Sequence, residues 1–343
     1  MKIENFKNSK IKMNKFFAFL FVGIISFIMN YQISYAQLLP VLGGQRAGIS
    51  SLQFLKIGVG GRPTALGDAF VAMAGDATSL YWNPAGMVQF DENQIVLSHT
   101  EWLVDINHQF AGIVFHLSDV NAIGISLTSL RTDPMKVTTE YLPFGTGEYF
   151  TFGDIALGAS IAHKFTEQFS FGFTLKYARE TLDKLYMDGF LVDLGTYYWT
   201  GLGTSRFAVT VSNFGNNVAP KGEVTLLNGK KISEFQSFSP PTIFRIGFAF
   251  EPILNERHRL TTTFQLNHPN DNSENLALGL EYSWLNILNL RGGYKINVDE
   301  QNFSFGFGIR APIKFADLNF DYGYNNFTRL GSTHRFSIIL GIQ

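Results

Sequence analysis

From about Gln94 to its end the chain alternates with a period of two. Phe169, Phe171, Phe173, Leu175 and Tyr177 alternate with Ser170, Gly172, Thr174, Lys176 and Ala178. Phe303, Phe305, Phe307 and Ile309 alternate in the same way with Ser304, Gly306, Gly308 and Arg310. Successive strand side chains point to opposite faces, so this pattern dictates strands with one apolar and one small or polar face. A soluble sandwich turns its apolar faces inward. Here the other face is rich in Gly, Ser, Thr and charge, which suits a barrel with lipid outside and a polar lumen. Charged residues make up only 16% of the chain and aromatics 15%, with 34 Phe. A soluble domain carries roughly 25% charge, so the apolar excess must be absorbed by a large core or by lipid.

Strands are expected near 94–103, 107–117, 122–131, 151–163, 169–181, 188–199, 206–213, 241–251, 258–268, 274–285, 287–297, 302–311, 313–323 and 333–342. That is about fourteen, an even number, as bacterial barrels have. Connections after even strands are short, and several after odd strands are long: Thr132–Phe150, Gly215–Pro240 and Asn325–Ser332. Short periplasmic turns alternating with longer extracellular loops are a property of outer-membrane barrels. Trp102, Tyr197, Tyr198, Trp199, Tyr282, Trp284, Tyr322 and Tyr324 lie near strand ends and fit an interfacial girdle, although aromatics also favour strands in general. Arginine at Phe171 or Phe305 is expected to be costly, and at the lumen neighbours Ser170 or Ser304 much less so.

The first residues carry Lys2, Lys7, Lys10, Lys12 and Lys15, followed by an apolar run from Phe16 to Met29 and the small-residue ending Ser34-Tyr35-Ala36. This order reads as a secretory signal peptide over 1–36, with a mature chain starting at Gln37. The run is short of the ~20 residues a spanning helix needs; an uncleaved anchor is the other reading. Residues 37–93 lack the alternation and read as a plug or hatch, with the barrel over 94–343. Gly58-Val59-Gly60-Gly61 reads as a flexible link, and Thr64 is placed to cap a short helix running to Ala74. Asn83 before Pro84 is a helix start, a side-chain cap followed by a residue whose missing N–H is harmless there. Gly86 would end that helix early or allow a close approach.

The stretch from Phe54 to Ala74, centred on Gly58-Val59-Gly60-Gly61-Arg62-Pro63, and the run Asp76 to Gly86, with Tyr81-Trp82-Asn83-Pro84-Ala85-Gly86, resemble the PorV/PorQ family of the FadL-like outer-membrane barrels. Leu290 to Lys295 and His334 to Ser337 are similar in style only. The resemblance implies an all-β transmembrane barrel of about 14 strands with an N-terminal hatch containing short helices, and Asn83, Pro84, Ala85 and Gly86 as the hatch motif. It also implies a place in the outer membrane, in contact with lipid. Two functions follow from it. PorV-like members serve type IX secretion, binding C-terminal domains of secreted cargo and a larger translocon. FadL-like members take up long-chain fatty acids or other hydrophobic compounds.

No catalytic, metal or cofactor site is expected. There is no H-E-x-x-H, G-x-S-x-G or P-loop, the seven His are scattered, and there is no Cys. A net charge of -1 gives no reason to expect nucleic acid. Asp193, Glu281, Arg291, Lys295, Arg310, Asn319 and Asp321 fall on the inner face, as a salt-bridged network or as a ligand or ion path. Tyr141, Phe144, Tyr149, Phe150, Leu226, Leu227, Phe235 and Phe238 lie on the two longest loops, where they dock a partner or pack on one another.

Overall fold

The computed structural model describes residues 48–225, 229–313 and 316–342. The expected signal peptide, the Gln37 junction, and Leu226 and Leu227 lie outside the described residues.

Fourteen antiparallel strands close into one barrel. They are β1 (Asn93–Glu101), β2 (Asn107–Ser118), β3 (Asn121–Arg131), β4 (Phe152–Lys164), β5 (Phe169–Leu182), β6 (Leu185–Trp199), β7 (Arg206–Gly215), β8 (Ile243–Leu254), β9 (His258–Pro269), β10 (Asn275–Trp284), β11 (Leu288–Ile296), β12 (Phe303–Ile313), β13 (Ala316–Asn326) and β14 (Ser332–Ile342). β1 pairs with β14 from Asn93↔Ile342 to Glu101↔His334, so the barrel itself has no unpaired edge. The alternation is expressed as read: Phe305, Phe307 and Ile309 are exposed on the outer wall while Ser304 is buried inside. Among the described residues no helix is long and apolar enough to cross a membrane.

The long connections, 132–151 and 216–242, both follow odd strands. The strands expected near 169–181 and 188–199 run further than read: β5 and β6 continue to the pair Leu182↔Leu185, leaving only Asp183 and Lys184 as a turn. The hairpin therefore stands up as a ribbon, with Lys221 of the 216–242 connection paired to Tyr186.

Residues 48–92 run inside the barrel. Helix α1 (Gly61–Ala65) lies against β12 and β13, and α2 (Ser79–Trp82) leads into a 3-10 turn over Pro84–Val88 that packs on β4, β5 and β6. The core sits here, with Leu66, Phe70, Leu80 and Met87 of this segment fully buried. Two local expectations change. Thr64 is inside α1 and is not its cap; its hydroxyl accepts from Arg335 of β14. The helix stops at Ala65 because Gly67 and Asp68 both take positive φ, 65° and 63°, which no continuing helix allows. Gly58 to Gly61 is a set of close approaches and not a loose link: a Cβ on Gly58 would come within 2.8 Å of the Trp82 ring, and one on Gly61 within 2.6 Å of the Asp321 carbonyl oxygen.

The girdle reading fails for two residues. Tyr197 and Trp199 share the lumen face of β6, because three consecutive strand residues cannot point the same way. Tyr197 is 3% exposed and donates to the Ala72 carbonyl; the Trp199 indole donates to Gln89. Tyr198, Tyr282 and Trp284 do face outward near the short-turn end. Trp102 lies at the long-loop end, against Phe327.

Candidate functional site

The irregular backbone of 48–92 lies at the depth of a membrane, where each N–H and C=O needs a partner within the protein. The inner face of the barrel supplies those partners. Ser98 and Ser337 accept from the amides of Gly60 and Gly61 at 3.2 and 3.0 Å. Gln265 accepts from both Phe70 and Val71 amides, and Gln94 from that of Ala77. Ser170, Thr263 and Ser304 donate to the carbonyls of Ala85, Ala69 and Ala65. The polar and small inner face is therefore a counter-surface for this segment. Ser170 and Ser304 are not open lumen positions, so the expected tolerance of arginine there does not hold.

The motif Asn83, Pro84, Ala85, Gly86 sits where the segment touches β5 and β6. Asn83 is fully buried and every hydrogen-bonding group of its amide is used. Its Oδ1 accepts from the Ala85 amide at 3.1 Å, capping the 3-10 turn, while Nδ2 donates to the carbonyls of Val71 and Thr196 at 3.0 and 3.1 Å. Gly172 of β5 and Gly195 of β6 leave the room: a Cβ on either would overlap Pro84–Ala85 or the Asn83 side chain. Gly86 permits a close approach, its missing Cβ being 2.8 Å from that of Ala74.

Charge ties the segment to the wall. Glu281 of β10 accepts from Arg62 and from Arg291 of β11, and Arg291 reaches Asp321 of β13 at 2.6 Å. Arg62 also holds Asp76 at 3.0 Å. Lys295 pairs with Asp68, and Lys176 with Asp193 at 2.5 Å. Arg310 pairs with Asp317, and Asn319 lines a polar cavity of about 600 Å³ at the short-turn end. Of the inner-face residues expected from sequence, Glu281, Arg291 and Asp321 form one network, Asp193 and Lys295 separate pairs. Their partners in 48–92 are Arg62 for Glu281 and Asp68 for Lys295, with Asp76 bound in turn to Arg62; sequence reasoning does not find them, and the one signal is that Arg62 lies in a segment with no alternation of its own.

At the long-loop end Lys56 contacts Asp271 of the β9–β10 turn at 2.8 Å, with Gln53 at 2.9 Å and Ser50 also donating to that carboxylate. Burial would push the Asp271 carboxyl up, but these hydrogen bonds and the Lys56 charge outweigh it and leave its pKa below the ordinary value. Tyr141 and Phe144 are each 92% exposed and Tyr149 is exposed, whereas Phe150, Phe235 and Phe238 are half-buried. Phe238 pairs through its backbone with Val218. The expected loop aromatics thus divide into an outward set on 132–151 and an inward set.

A closed barrel of antiparallel strands, apolar toward lipid and polar within, is an outer-membrane β-barrel. Several solved barrels share the fold: a FadL homologue from Pseudomonas aeruginosa (12% identity, 83% of this chain and 98% of that one, TM-score 0.56), the monoaromatic hydrocarbon channel CymD (13%, 83% and 97%, 0.57) and the toluene transporter TbuX from Ralstonia pickettii (11%, 83% and 97%, 0.55). No curated protein matches the sequence. The family model of the type IX secretion system protein PorV matches residues 43–269, and the chain belongs to that family.

Proposed function

We propose that this barrel is a non-catalytic, protein-binding component of type IX secretion, receiving the C-terminal domains of secreted cargo at its long-loop end beside a larger translocon. Membership of the PorV family carries the reading. Tyr141, Phe144 and Tyr149 support it, because exposed aromatics on a loop are docking groups more than solvent cover. The hydrogen bonds along 48–92 also favour a lumen held shut over an open channel. Affinity capture from detergent-solubilised outer membrane tests it. Secreted proteins sharing a C-terminal domain, or a large translocon barrel, are expected in the eluate, and replacing Tyr141 and Phe144 together by serine should reduce their recovery without unfolding the barrel. Recovery of neither, with fatty acid or another hydrophobic molecule bound to the purified protein, would instead establish hydrophobic uptake. One observation favours that second reading: a cavity of about 610 Å³ at the long-loop end, walled largely by apolar side chains.

A further inference from the structure

The cavity of about 610 Å³ lies between the start of the luminal segment and the mouth of the barrel. Leu52, Phe54, Ile106, Phe152, Phe238 and Phe327 give it an apolar lining, and Asp154 and Glu180 also line it. Asp154 of β4 and Glu180 of β5 are direct cross-strand partners on the inner face. Like charges directly opposite each other are destabilising, and more so out of water. Asp154 is 5% exposed and its Oδ1 has no hydrogen-bond partner. Among the described residues Glu180 accepts only a backbone amide, that of Leu52 at 3.0 Å. Among the described residues no Lys, Arg or His lies within ion-pair distance of either carboxylate. Lys56, the one cation among the described residues lining the cavity, is already engaged by Asp271.

The geometry points to a binding site for a cation on an apolar stem, a protonated amine or guanidinium, with its charged end at Asp154 and Glu180 and its stem along the aromatic wall. A metal ion is the poorer fit: hard cations need six or more oxygens, and the described residues hold no group of three or more ligating side chains. The volume suits a small organic ligand or one inserted side chain. This site is independent of the secretion role, since it rests on the carboxylate pair and the cavity alone.

Isothermal titration of the full mature chain in detergent with n-pentylammonium, against n-pentanol and pentanoate, tests the assignment. The ammonium is expected to bind at least about tenfold more tightly than either control, the effect of one charge-assisted hydrogen bond. Asp154→Asn and Glu180→Gln should each remove most of that preference; Glu180→Gln keeps an acceptor for the Leu52 amide and serves if Asp154→Asn fails to form the barrel. A blocked lysine (N-acetyl-lysine methylamide) separates the sources: binding shows that a protein side chain fits, and its failure beside pentylammonium binding assigns a free amine. Equal affinities for the three probes, or an ammonium preference untouched by both substitutions, would overturn the proposal.

Discussion

Arg62 of the luminal segment grips Glu281 of β10 with two parallel hydrogen bonds, Nε to Oε2 at 2.8 Å and Nη2 to Oε1 at 2.9 Å. This fork geometry belongs to the guanidinium alone; a lysine can offer only a point charge. Arg62→Ala is expected to cost about 2–3 kcal/mol in holding the segment, because Glu281 keeps Arg291 but loses its charge-assisted pair. The barrel itself should persist. Trypsin cleavage within 48–92 and single-channel conductance should both rise, and Arg62→Lys should rescue only part of the effect. Unchanged proteolysis and conductance in Arg62→Ala would show that the segment is held by packing alone.

Asn83 tests the Asn83–Gly86 turn without changing its size. In Asn83→Asp a carboxylate oxygen replaces Nδ2 and faces the carbonyls of Val71 and Thr196, so two favourable contacts become repulsive. The expected loss is larger than the roughly 1 kcal/mol typical of losing a cap and falls nearer 3 kcal/mol. Gly172→Ala should act at the same place by overlap with Pro84 and Ala85, whereas Gly292→Ala meets nothing within 4 Å and should be neutral. Urea titration of the three variants checks the order; a benign Asn83→Asp would refute the arrangement.

The clip at Asp271 predicts a dependence on pH. Its folded-state pKa is depressed, so its contribution is present above the unfolded value of about 3.9 and is lost as pH falls through the folded pKa. Amides 50–57 should therefore keep their protection from hydrogen exchange from neutral pH down to about 5, then lose it in stronger acid. Asp271→Asn should lower protection at neutral pH by about 1–2 kcal/mol and flatten the acid response. An acid response that survives the substitution would assign the titration elsewhere.

Arginine scanning separates the two faces of β12 and its neighbour. Phe305→Arg on the lipid face should cost about 2–4 kcal/mol near the bilayer midplane. Ser304→Arg should cost at least as much, since Ser304 is 2% exposed and bonded to the Ala65 carbonyl. Asn289→Arg, which lines the polar short-turn cavity, should stay within about 1 kcal/mol. Refolding into lipid vesicles gives the three values, and a tolerated Ser304→Arg would show that 48–92 does not press on β12.

The barrel was legible in the chain because alternation is local. Each residue of Phe303 to Arg310 reports its face through its two neighbours, and the strand count and loop parity follow from repeating that reading. The Asn83–Pro84 turn was legible for the same reason: cap and turn are adjacent, and the amide bonds to Ala85. What fills the lumen is not a local property. That Ser304 meets Ala65, that Gly195 makes room for Asn83, and that Tyr197 and Trp199 turn inward beside Tyr198 depend on which wall the irregular segment lies against. The alternation marks an inner face but carries no mark of what stands opposite. The pairing of Asp154 with Glu180 is decided likewise by the register of β4 on β5, where a one-residue slip would send one of the two carboxylates to the lipid face. Short-range sterics thus settle the wall, and only closure of the barrel around its own N-terminal segment settles what the wall encloses.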